Sequence, residues 1–86
     1  MTTAQKLLIV DDDRDFVQLL EYDFKKRGYH IATAFNGEEG LEKAREIKPD
    51  LVILDIKMPK VDGYTFVRRM KKEKETKNIP VIILTS

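Results

Sequence analysis

The residues with chemical potential in this chain are acidic, and they stand directly behind apolar runs. Leu7-Leu8-Ile9-Val10 is followed by Asp11-Asp12-Asp13, and Leu51-Val52-Ile53-Leu54 by Asp55. A third run, Val81-Ile82-Ile83-Leu84, is followed by the hydroxyls of Thr85 and Ser86. Carboxylates gathered in one place repel and raise each other's pKa values. A hard divalent cation with oxygen ligands relieves that repulsion, and magnesium suits a site of few carboxylates that keeps several waters. Helix capping is the plain alternative for Asp11 to Asp13, because acidic residues favour a helix N-terminus. Capping accounts for one or two of them. It does not account for Asp55 after four apolar residues, or for a hydroxyl at the end of the last run.

The apolar runs are continuous, which is the pattern of strands buried on both faces of a parallel sheet. A mixed run, Tyr29 to Ala34, fits an edge strand. Helical patterns lie between the runs. Phe16, Val17, Leu20 and Phe24 form one stripe, stopped by Gly28. Asn36 caps a second helix, with Glu39 placed to reach back, and Leu41, Ala44 and Ile47 make its stripe before Pro49 ends it. Asp62-Gly63 opens a third, with Phe66, Val67 and Met70 on its apolar side. The order β-α-β-α-β-α-β predicts a parallel sheet with helices on both faces. Ligands of such folds sit beyond the carboxyl ends of the strands, where the acidic residues are. Gly40 reads as a site of close helix packing, and His30, the single histidine, as structural.

Length and composition bound the rest. Eighty-six residues, 42% hydrophobic and 36% charged, make one small globular domain over residues 1–86. No cysteine is present, which excludes thiolate catalysis, cysteine-zinc sites and disulfides. No apolar run reaches about 18 residues, and the first residues are too polar for a signal peptide, so no membrane contact and a cytoplasmic location are expected. Lys and Arg number 8 against 12 Asp and Glu in residues 1–56, and 8 against 3 in residues 57–86. The basic half reads as a solvated helix face rather than a nucleic-acid surface, since no aromatic residues interleave to stack on bases.

On these stretches the chain resembles the receiver domains of bacterial two-component response regulators. The matching segments are Leu8 to Asp13, Leu51 to Pro59, Asp62-Gly63 and Val81 to Ser86. The resemblance implies a flavodoxin-like fold with strand order 2-1-3-4. It implies that Asp55 accepts a phosphoryl group from a histidine kinase or phosphotransfer protein. Asp11 and Asp12 take the place of the acidic pair that holds Mg2+, with Asp55 and the backbone carbonyl of Lys57 completing the metal site. Thr85 takes the place of the switch hydroxyl that bonds a phosphoryl oxygen. Asp13 falls at a variable position. Pro59 and Gly63 read as loop geometry.

The family fold has five strands and five helices, so the fifth strand and the last two helices are expected to be missing. With them go a lysine that contacts the phosphoryl group and an aromatic switch residue, and impaired activity is expected. Strand four then becomes an apolar edge, Val81, Ile82, Ile83 and Leu84, that invites self-association. The competing reading is a non-phosphorylated, self-associating assembly module. A haloacid-dehalogenase type hydrolase also uses an Asp after a strand, but wants a second Asp two residues on, where this chain has Lys57.

Overall fold

The computed structural model describes residues 5–55 and 60–84, with the side chains of all of these but 60–62. Seven elements alternate along the chain: β1 (Lys6–Val10), α1 (Arg14–Lys26), β2 (His30–Ala34), α2 (Gly37–Ile47), β3 (Leu51–Asp55), α3 (Lys60–Lys72) and β4 (Val81–Leu84). All three strand pairings are parallel, and the sheet order is β2-β1-β3-β4. The expected α/β architecture and strand order are therefore present. No described helix is long and apolar enough to cross a membrane.

The continuous runs owe their character to a sheet covered twice. Successive side chains of a strand point to opposite faces. Leu8 and Val10 of β1, with Val52 and Leu54 of β3, meet Leu41 and Ala44 of α2 and Phe66 and Met70 of α3. Ile9 and Ile53 point the other way, onto Val17, Leu20 and Phe24 of α1. Both faces of the two central strands need apolar side chains, so no alternation survives in their sequence. Strand β2, on the edge, carries an exposed His30.

Local signals set where the helices sit. Asn36 caps α2, its Oδ1 accepting from the Glu39 N–H at 2.8 Å. Gly40 lets α2 approach the sheet: a Cβ built there lies 2.9 Å from Val10 Cγ2 and 3.1 Å from Phe66 Cε1. The helix ends in a left-handed residue, Lys48 (φ 47°), just before Pro49. At the amino end of the sheet, the Asp50 carboxylate accepts from the Lys6 N–H at 2.8 Å, and the Asp50 N–H donates to the Lys6 carbonyl at 2.8 Å. Arg45 on α2 grips Glu73, just past α3, with two hydrogen bonds of 2.7 and 3.1 Å. Buried Thr76 then donates to the Met70 carbonyl at 2.7 Å and closes the end of α3.

Two sequence expectations need correction or limits. Gly63 does not serve as loop geometry: α3 begins at Lys60, so Asp62 and Gly63 fall in its opening turn. An Asp-Gly pair signals a turn, but an acidic residue also suits the positive end of a helix, and here the helix wins. Lys57, Pro59 and Thr85 lie outside the described residues. Strand β4 is the outer strand of the described sheet, with Ile82 48% and Ile83 45% exposed on its two faces.

Candidate functional site

Strand register brings the carboxylates together. β1 and β3 pair Val10 with Leu54, so the next residues, Asp11 and Asp55, emerge side by side at the carboxyl end of the sheet. On its other flank the Asp11 N–H donates to the Ala34 carbonyl of β2 at 3.0 Å. Both side chains are enclosed: Asp11 is 1% exposed and Asp55 5%. Asp12 and Asp13 are exposed.

The three consecutive aspartates divide their work. Asp13 is the N-cap of α1, its Oδ1 accepting from the Phe16 N–H at 3.2 Å. Asp11 turns Oδ1 back to accept from the Asp13 N–H at 2.9 Å, which fixes the chain between β1 and α1. Among the described residues its second oxygen, Oδ2, is buried without a hydrogen-bond partner. Capping thus absorbs Asp13 and half of Asp11, and leaves a carboxylate oxygen unexplained by folding.

Burial pushes the Asp11 carboxyl up from its ordinary 3.8 to about 6. The Asp13 N–H pulls against that shift, whereas Asp55, as acceptor for an Asp11 proton and as a like charge, adds to it, with a smaller push from Asp12. Burying a carboxylate oxygen with no partner is costly. A divalent cation supplies what that oxygen lacks, and an all-oxygen donor set suits magnesium better than a soft metal. The residues therefore fit the ion the sequence suggests. The buried pair is Asp11 with Asp55, and Asp12 stands at the rim. Among the described residues, no three Asp, Glu or His side chains form a ready-made metal cluster.

One feature at this end of the sheet escaped the sequence reading. The Arg14 guanidinium lies over the Phe35 ring, 4.1 Å from its centroid. This joins the start of α1 to the turn after β2. The available signal was an arginine at the positive end of a helix, where a cation is poorly placed and needs another partner. At the opposite end of the strands an open groove of about 480 Å³ is lined by Lys6, His30, Ile31, Ala32, Glu46 and Ile47. It takes no part in the acidic site.

Comparison with known proteins places this geometry. The chain matches the family described as "Response regulator receiver domain" over residues 7–86. It is 40% identical over 82 residues to the alkaline phosphatase synthesis transcriptional regulatory protein PhoP of Bacillus subtilis, covering 95% of this chain and 33% of that protein. It is 37% identical over 81 residues to the DNA-binding dual master transcriptional regulator RpaA of Synechocystis, covering 94% and 34%. The chain thus spans about a third of the length of the curated relatives it matches. Among solved structures, the N-terminal domain of a response regulator receiver protein from Methanoculleus marisnigri superposes with a TM-score of 0.89 at 40% identity, over 96% of this chain and 68% of that one. The chemotaxis protein CheY4 of Vibrio cholerae gives 0.86 at 31% identity, over 94% and 68%. With the family match over nearly all of its residues and its own fold in agreement, this chain belongs to the response regulator receiver domain family.

Proposed function

We propose that this chain is the phospho-acceptor module of a two-component relay, with Asp55 as acceptor and a sensor histidine kinase or phosphotransfer protein as donor. The observation that carries the reading is the enclosed Asp11–Asp55 pair at the carboxyl ends of the central strands, with Asp11 Oδ2 lacking a partner among the described residues. In the transfer, an Asp55 carboxylate oxygen attacks phosphorus. A P–O bond forms as the P–N bond of the phosphohistidine breaks, and the imidazole leaves with the electron pair. Asp11, Asp12, Asp55 and the Lys57 carbonyl would hold Mg2+, and the ion would neutralise negative charge on the carboxylates and phosphoryl oxygens. Thr85 bonds a phosphoryl oxygen. Asp11, tied through one oxygen to the Asp13 N–H, keeps the other for the ion. The module transfers nothing onward as a conventional enzyme does; it is modified. The cytoplasm, where donor and acceptor meet, is its place of action.

Intact mass spectrometry after treatment with acetyl phosphate and Mg2+ tests the assignment. A gain of one phosphoryl group, lost in Asp55→Asn, is expected. Modification that persists in Asp55→Asn refutes it.

A second reading, self-association through Val81 to Leu84, has one observation in its favour: the exposure of Ile82 and Ile83 on both faces of an outer strand. Sedimentation across a concentration series, with Ile83→Lys as control, separates the two. A dimer that the lysine dissociates supports it, and a monomer at all concentrations ends it.

A further inference from the structure

On the metal reading above, a cation stands directly behind the run of three aspartates. Arg14 follows Asp11, Asp12 and Asp13 and precedes Asp15. Its long side chain has the reach to pair with the exposed carboxylates around it. Yet among the described residues no salt bridge involves Arg14; the ion pairs are Lys25–Glu21, Arg27–Asp23 and Arg45–Glu73. The guanidinium instead rests 4.1 Å from the Phe35 ring centroid.

Phe35 is well placed for this. It follows β2, the strand on the far side of β1 from β3 and Asp55. It is partly buried against Ile9, Val17 and Ile53 of the α1-side core, so its ring is anchored. Arg14 is exposed, so its head lies on the solvent side of that anchored ring. We propose that Phe35 is a positioning residue for the acidic site: by stacking on Arg14 it holds that cation on the β2 side and leaves the carboxylates of Asp11 and Asp12 to a divalent ion.

An arginine released from the ring would find Asp12 and Asp13 within a few residues and would compete with the metal for Asp12. Asp13 already spends its Oδ1 on the Phe16 N–H, so Asp12 is the more open partner. An exposed ion pair shifts an equilibrium by at most about fivefold, which sets the size of the effect. The competition is ionic, so it fades as salt rises.

The test is a Mg2+ titration read by the amide signals of residues 11–13 and 55 in the wild type, Phe35→Leu, Arg14→Gln and the double variant. Phe35→Leu should bind Mg2+ about two- to fivefold more weakly at low salt, with the difference shrinking at high salt. Arg14→Gln should bind at least as tightly as the wild type, and the double variant should match Arg14→Gln. Ring-current shifts of the Arg14 side-chain signals should be present in the wild type and lost in Phe35→Leu. Phe35→Met is a second ringless variant that fills the same apolar space if leucine fails to fold. Phe35→Tyr, which keeps the ring, should restore wild-type binding. Equal Mg2+ affinity in wild type and ringless variants overturns the inference. So does a loss of the same size in the Arg14→Gln background, which would show that Phe35 acts by packing alone. A wild type that ignores millimolar Mg2+ fails earlier, overturning the metal reading together with this one.

Discussion

Replacing Asp11 with asparagine should stabilise the metal-free protein while removing its response to magnesium. Asp11 is 1% exposed, and its carboxyl is raised from 3.8 to about 6. The folded chain therefore holds this proton more tightly than the unfolded chain. The stability this contributes is fully present below pH 3.8 and is lost as pH rises through about 6. The ionised carboxylate costs the fold on the order of 3 kcal/mol at pH 7.5, and the cost falls away as pH drops through about 6 towards 3.8. Asparagine keeps an oxygen to accept from the Asp13 N–H, and its amide can donate to Asp55 where a like charge stood. Urea unfolding followed by circular dichroism should show Asp11→Asn about 1–3 kcal/mol more stable at pH 7.5, with the gain shrinking steadily towards pH 4. Magnesium at ten times its dissociation constant should add about 1.4 kcal/mol to the wild type and nothing to the variant. A variant less stable than wild type at pH 7.5, or a gain independent of pH, would show that burial of Asp11 is not the cost described.

Two glycines give opposite expectations. Gly40→Ala puts a methyl 2.9 Å from Val10 Cγ2 and should cost about 1–3 kcal/mol, read as a lower urea midpoint at unchanged slope. Gly63→Ala adds a methyl with nothing within 4 Å in the opening turns of α3, and should raise stability by about 0.5–1 kcal/mol in the same assay.

The sequence made the sheet legible because β1 and β3 are central and covered on both faces. Leu7 to Val10 and Leu51 to Leu54 could only be continuous runs, and their ends marked Asp11 and Asp55. The second helix pattern also carried Gly40, since a glycine between polar and apolar helix positions has few other uses than close packing. The opening of α3 was less legible, because Asp62-Gly63 satisfies a turn and a first helical turn equally well and only the neighbouring backbone decides. The division of roles among Asp11, Asp12 and Asp13 was illegible for another reason. Three identical side chains in a row differ only in where register and the start of α1 place them. The Arg14–Phe35 stack joins residues twenty-one apart in sequence across two strand ends, and no local pattern announces it.

The same central position explains why the fold can hold an unfavourable group at all. A buried carboxylate with one unpartnered oxygen would open a loosely held loop to water. Asp11 has no such escape. Its backbone N–H is bonded to Ala34 on β2, its register is locked to β3 by four paired residues, and its Oδ1 is committed to the start of α1. Apolar contacts on both faces, from Ile9 to Val17 and from Val10 to Leu41, hold these ends in place. Relaxing one oxygen would mean breaking strand pairing and helix capping together. The sheet thus keeps at its carboxyl edge a charge that folding alone would reject, and under the proposed function that retained charge is what a divalent cation would neutralise.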